Sequence, residues 1–448
     1  MIERLLERVR RRAAGAGEGA GADALWRRAE RTSVAFESGR LKAAGTSEEA
    51  GVNLRVVSGG RVGIAGSTAV AASDADALIA RAVASAALGE PIDLAFPVSA
   101  PLPDVATYGD RAATASLDAL IGIGRGLVER LARDGCQVNV AVEREIVRTQ
   151  VGNTAGADGA YRSTGVGVSA EVWRIAGDDV LAVGDAFEGA ELPTADALAA
   201  LVRSIESRLD LALTIVDPPE GSLPVVFTPA GLSAVFLPVT QALSGKAVLQ
   251  GISPLAGKLG ERVFDPAFSL TDDPLCAGRT ASRPLDDECV PSRVAALVEG
   301  GVVRQFVYDL ETAARAGTAS TGHGQRGIFS KPVPGYTNLI IGEGGRGKGE
   351  GYADLGGGLL GDMKDGLLVD ELIGVGQGNV IGGAFSHPVA LAYRVARGEI
   401  TGRVKDAAVA GNGYELLRRI GGFGNDRRWY GARSTPSLLL EGVSVVRR

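Results

Sequence analysis

GSLPVVFTPAGLSAVFLPVTQALSGKA, residues 221–247, passes from a strand to a helix within a few residues. SLPVVF is short, apolar and rich in valine, which predicts a strand. TPAG supplies the turn, and from Leu232 to Ala242 the apolar residues recur at helical spacing. Just upstream, LTIVDPPEGSLPVVF (213–227) carries a proline pair and a glycine, which is where few contacts should cross. A domain boundary is therefore expected near residue 217. It divides an N-terminal domain, 1–216, from a slightly larger one, 217–448.

The first part mixes helices and hairpins. Ile2, Leu5, Leu6 and Val9 share one face of an amphipathic helix whose other face is charged. RTSVAFESGRLKAAG (31–45) predicts two short strands around a turn. GVNLRVVSGGRVGIAGST (51–68) predicts a hairpin in which Val52, Leu54 and Val56 alternate with Asn53 and Arg55. Helices are predicted over 73–89, capped by Ser73 or Asp74, over 116–135 and over 194–213, with strands over 136–153, 161–177 and 179–189. The second part reads as strands and turns: a hairpin over 294–309, a short helix over 309–317, and strand-rich stretches over 366–402 and 434–448. This order predicts an α+β fold, an N-terminal α+β domain followed by a β-rich C-terminal one, with mainly antiparallel pairing.

Composition excludes several functions. A net charge of −6 leaves no electrostatic footprint for nucleic acid. No run of about 18 apolar residues could span a membrane. The three cysteines, Cys136, Cys276 and Cys289, form no CxxC pair, and the first residues have no apolar signal core. A reduced, cytoplasmic protein is expected. There are two histidines, His323 and His387, far apart in sequence, whereas catalytic zinc sites use two or three.

No catalytic motif emerges from the residues. GEGGRGKGEG (342–351) lacks the Ser or Thr that must follow the lysine of a phosphate loop, because Lys348 precedes Gly349. It reads as a loop. LTDDP and PLDDEC place adjacent carboxylates beside prolines, which reads as turns; calcium ligands alternate along their loop. STGHG brings Ser320 and His323 close in sequence, but no GxSxG elbow is present.

Several stretches do carry a resemblance when taken in order. GSLPVVFTPAGLSAVF (221–236), LAGKLGERVFDPAFSLTDDP (255–274), the run from Val294 to Gly324, the run from Gly366 to Gly402 and RSTPSLLLEGV (433–443) together resemble the TldD/PmbA family, in its PmbA (TldE) branch. FESGRLKAAGTSEEAGVNLRVVSGGRVGIAGST (36–68) looks like the family's first hairpin region. In the TldD branch an HExxxH helix and a later cysteine hold zinc, and the glutamate serves as general base. The corresponding positions here are Leu237, Pro238 and Ala242, and no cysteine follows Cys289. Pro238 is expected to kink or end its helix. The resemblance thus implies no catalytic residue, no metal ligand and no cofactor in this chain. It implies a non-catalytic subunit that pairs with a TldD-type HExxxH subunit, the zinc residing on that partner. The heterodimer would process unstructured or modified peptides. Extended peptides bind by adding a strand to a sheet edge, and glycine turns let a backbone approach. The expected substrate-binding wall is therefore Ser320, Thr321, Gly322, His323 and Gly324, with Gly376, Gln377 and Gly378. A homodimeric peptide-binding or scaffold protein is the alternative.

Overall fold

The computed structural model describes residues 2–16, 21–68, 74–342 and 355–448. The glycine-rich loop reading of 342–351 lies outside these residues except for Gly342, and so does the cap candidate Ser73.

Six antiparallel strands form the first sheet: β1 (Gly21–Glu37), β2 (Arg40–Ser58), β3 (Arg61–Ser67), β4 (Cys136–Asn153), β5 (Asp158–Ala176) and β6 (Asp179–Gly189). They run in the order β3-β2-β1-β4-β5-β6. Where two short strands around a turn were expected, β1 and β2 form one long hairpin that reverses at Ser38 and Gly39. Residues 40–49 of β2 are exposed on both faces, so no apolar alternation marks them as a strand.

Helices α1 (Ile2–Ala16) and α2 (Ala75–Ala86) share one core with β1–β3, in which Ile2, Leu5, Leu6 and Val9 are buried as their spacing predicts. After the single turn α3 (Asp110–Thr114), helices α4 (Leu117–Leu131) and α5 (Ala195–Ala212) pack on β1 and β4–β6. Each starts on a side-chain cap: Ser116 Oγ accepts from the Ala119 amide and Thr194 Oγ1 from the Ala197 amide, both at 3.1 Å.

The chain enters its second sheet at β7 (Ile215–Val216) and β8 (Gly221–Phe227). Its later strands are β9 (Asp365–Leu372), β10 (Ala384–Ala396), β11 (Glu399–Val404), β12 (Ala407–Asn412) and β13 (Leu438–Arg447). The order is β9-β8-β13-β12-β10-β11-β7, and β9 also pairs with β10, so five of these strands close on themselves. A third sheet of short strands, among them Leu270–Asp272 and Leu339–Ile341, lies nearby.

Between the sheets runs α6 (Ser233–Ala242), followed by α7 (Gly245–Leu249). Val235, Phe236, Val239 and Ala242 are buried in the core of the second half. Pro238 neither ends nor shortens this helix, which continues to Ala242. Proline forfeits one backbone bond, and the neighbourhood is well tied: the Tyr414 hydroxyl donates to Pro238 O at 3.0 Å and to Ile381 O at 2.8 Å. No helix among the described residues is long and apolar enough to cross a membrane.

Candidate functional site

A cleft of about 590 Å³ opens between the first sheet and the start of α6. Asn139 of β4, Glu171 of β5 and Asp185 of β6 line one wall, and Gly231, Ser233, Glu371, Leu372 and Tyr430 the other. Its floor is built around Arg208 of α5. That guanidinium donates to Asp370 Oδ2 at 2.7 Å and to Gly184 O at 2.8 Å, and lies 3.3 Å from Asp185 Oδ2. Asp370 also accepts from Thr228 Oγ1 at 2.8 Å, which ties β9 to the turn before α6. Burial pushes the Asp370 carboxyl up, but Arg208, with Arg428 and the Thr228 hydroxyl, outweighs it and holds the group below its ordinary value. Arg428 neutralises Asp185 at 2.9 Å.

Two further acids in the cleft, Glu171 and Glu371, exceed the arginines there. Burial first, then the charges of Asp370 and Glu171, raise the Glu371 carboxyl. With Asp185 and Asp370, its carboxylates outnumber Arg208 and Arg428, so the cleft favours positive charge. Neither histidine lines it, so the general base that nucleophilic catalysis most often uses is lacking there.

The predicted wall residues fall in two places along α6. Gly376, Gln377 and Gly378 occupy an exposed turn beyond β9, next to the cleft residue Val375. Gly376 has φ of 93°, and a Cβ there would come 3.5 Å from Leu237 Cδ2, so this turn lies against the half-buried face of α6. Ser320 to Gly324 approach α6 further along, through Tyr336, whose hydroxyl donates to Thr240 O at 2.5 Å. His323 is buried there. Its Nε2 is 3.0 Å from Asp272 Oδ2 and its Nδ1 is 2.8 Å from Thr321 Oγ1. Hydroxyl, imidazole and carboxylate thus align, but all three residues are buried and Thr321 Oγ1 also accepts from the Tyr308 amide at 2.7 Å. The arrangement locks a loop. Ser320 Oγ, half-buried, donates to Tyr308 O at 3.2 Å.

A second polar centre, which the sequence reading missed, lies under β1 and β2. Arg55 is fully buried, with Nε 3.1 Å and Nη2 2.5 Å from Asp23 and Nη1 2.6 Å from Glu288. Arg326 Nη1 donates to the same Asp23 at 2.9 Å. The PLDDEC turn supplies its carboxylates inward: Asp286 accepts from the Glu288, Val290 and Gly324 amides, each at 2.9 Å, and Glu288 from the Leu310 amide at 2.7 Å. Asp23, a charge within the apolar stretch GADAL, was the one visible signal; Arg55 alternates with Leu54 and Val56 as an outward residue would.

Burial pushes the Glu288 carboxyl up to about 8; Arg55 pulls it down, while Asp286, Asp309 and Asp23 add to the rise. Its native pKa lies above its ordinary 4.5, so the native state holds this proton more tightly. The contribution to stability is full below the unfolded value and is lost as pH climbs through about 8. Urea unfolding between about pH 5 and about pH 8 should show a decline in stability with pH that flattens in Glu288→Gln. Equal slopes in the two proteins would contradict this.

At the positions where the resemblance places the two histidines and the glutamate of HExxxH, Leu237 is half-buried and Pro238 and Ala242 are buried. None offers a lone pair, so these residues do not fit the metal. Among the described residues, no three His, Cys, Asp or Glu side chains gather as a metal site.

Residues 220–447 match the PmbA/TldA metallopeptidase C-terminal domain, and residues 22–86 match PmbA/TldA metallopeptidase domain 1. The chain belongs to the PmbA/TldD family. A Haemophilus influenzae protein named "Metalloprotease TldD homolog" is 31% identical over 213 residues, covering 46% of this chain and 42% of that protein. "Metalloprotease PmbA homolog" from the same organism is 26% identical over 226 residues, covering 50% of this chain and 46% of its own. The match to these curated relatives thus spans less than half their length. TldE from Thermococcus kodakarensis shares the fold at a TM-score of 0.86 and 23% identity, over 99% of this chain and 100% of that one. A Thermotoga maritima structure does so at 0.85 and 24%, over 100% of both. This PmbA/TldD fold is the α+β arrangement that the resemblance implied.

Proposed function

We propose that this PmbA/TldD protein is the non-catalytic, TldE-like subunit of a heterodimeric TldD-type zinc metallopeptidase. Its partner carries HExxxH and the zinc, and the pair processes unstructured or modified peptides. This chain completes the chamber and holds substrate. One observation carries the reading: α6 keeps its place between the two sheets, yet presents Leu237, Pro238 and Ala242 where a metal helix would present two histidines and a glutamate. The buried side chains there pack as apolar core. The cleft beside α6 supports the substrate role, since it is walled by strands and reaches Val375, the residue before the Gly376–Gly378 turn. Pull-down of the tagged chain from its native cells, followed by mass spectrometry, tests the partner. Recovery of an HExxxH protein in near-equal amount is the expected result; its absence would count against the heterodimer.

A further inference from the structure

The charges that line the cleft beside α6 are unevenly matched. Arg208 is committed to Asp370 at 2.7 Å and Arg428 to Asp185 at 2.9 Å. Glu171 and Glu371 remain, and among the described residues neither has an ion-pair partner. The two come from opposite walls. Glu171 stands on β5, where the residues directly across the ladder are Asn139 of β4 and Gly184 of β6. Neither offers it a cation. The Trp173 indole donates to one Glu171 oxygen, which orients the carboxylate without neutralising it. A Cβ at position 184 would already come 3.4 Å from Glu171 Cγ, so the glycine keeps space beside the acid.

Glu371 enters from the other wall, at a break in β9. That strand pairs Val369 with Ala392 but Glu371 with Leu391, which leaves Asp370 as an extra residue in the ladder. In a regular strand consecutive side chains point to opposite faces. Here Asp370, Glu371 and Leu372 all line the cleft. Bulges re-aim side chains in this way and are frequent beside active sites. Asp370 is used inside the protein, holding Arg208 and the Thr228 hydroxyl. Glu371 is solvent-accessible and accepts no hydrogen bond from a described residue.

The surfaces between the two acids suit a long side chain. Ala141 and Ala186 on the sheet wall are small, and Leu372, Val375 and Tyr430 on the other wall offer apolar area. Tyr430 is 47% exposed. Lysine and arginine lay their methylene stems along such surface and carry the charge at the tip. After burial and Asp370, the charge of Glu171 raises the Glu371 carboxyl further, and Arg208 only pulls it back. A cation seated between the acids relieves a repulsion that the chain itself leaves standing.

We infer that Glu371 and Glu171 select peptides by a cationic side chain, lysine or arginine, seated between the β5 and β9 walls of the cleft. This rests on the substrate role proposed above for the cleft and adds a specificity to it. Strand addition reads backbone groups and is indifferent to side-chain charge; the two unpaired carboxylates supply the discrimination.

The test is fluorescence anisotropy with the purified full chain at neutral pH and low salt. The probes are labelled Gly/Ser/Ala peptides, N-acetylated and C-amidated, that differ only in a central lysine, arginine, glutamine or glutamate. The lysine and arginine peptides should bind at least about tenfold tighter than the glutamine peptide, and the glutamate peptide should bind most weakly. Added salt should shrink the advantage. Glu371→Gln should remove most of it, and Glu371→Lys should turn the preference towards the glutamate peptide. Circular dichroism and the urea midpoint confirm that each variant folds. A peptide with a free N-terminal amine and no basic side chain should bind like the glutamine peptide; if it matches the lysine peptide, the cleft reads the chain end and the inference fails. Equal affinity for all the peptides, or a preference unchanged in Glu371→Gln, overturns the inference and leaves the substrate role standing. Binding of no peptide overturns both.

Discussion

Replacing Arg55 with alanine is expected to destabilise the chain by about 3–5 kcal/mol. Arg55 is enclosed completely, and its three nitrogens serve two carboxylates from different parts of the chain, Asp23 on β1 and Glu288 in the 284–289 turn. Removing the cation leaves both acids buried, with Arg326 as Asp23's remaining guanidinium. Burial raises the carboxyls of Glu288 and Asp286 already, so they meet the loss by holding protons rather than by staying charged. Protonation limits the penalty without restoring the hydrogen bonds. Lysine does not rescue the site, because one ammonium cannot reproduce the paired contact to Asp23. The urea midpoint of Arg55→Ala against wild type decides. A loss under about 1 kcal/mol would mean that the buried network is incidental.

Asp370→Ala should cost a similar amount, about 3–5 kcal/mol, with a more local consequence. Asp370 is the nearer carboxylate of Arg208 and also receives the Thr228 hydroxyl. Without it, Arg208 keeps the Gly184 and Ser204 carbonyls and Asp185 at 3.3 Å, and Asp185 is shared with Arg428. The turn that launches α6 loses its side-chain tie to β9 and keeps only the backbone bond from the Thr228 amide to Val369 O. Hydrogen exchange should therefore speed up at the first amides of α6 well before it does so in α4. Unchanged exchange at α6 would show that the helix is positioned by its apolar face alone.

The sequence was most legible where local chemistry decides the outcome. Helices α4 and α5, expected over 116–135 and 194–213, and the apolar face of α1 follow from short-range pattern and are as expected. Legibility failed where distant segments decide. Arg55 alternates with valine and leucine as an outward residue of a half-buried strand does, yet a loop more than 200 residues away covers it. His323 follows a serine and a threonine in a turn-like sequence, and only the strand at Leu270–Asp272 explains why it is buried. Pro238 should break a helix by local rules; α6 nevertheless continues to Ala242, with its apolar side chains packed in the core. The cleft drew half its wall from each part of the chain, so no single motif could announce it. Of the expected wall, the 376–378 turn follows the cleft residue Val375, whereas 320–324 is fastened to Tyr308, Asp272 and Asp286.

The central claim is that this chain serves a metal it does not hold. The direct measurement is cleavage of an unstructured peptide by the chain alone, by an HExxxH subunit from the same genome alone, and by the two co-expressed and co-purified. The account predicts cleavage by the complex only, abolished by a chelator and by replacing the partner's motif glutamate. Cleavage by this chain alone, or a partner as active alone as in the mixture, would contradict it.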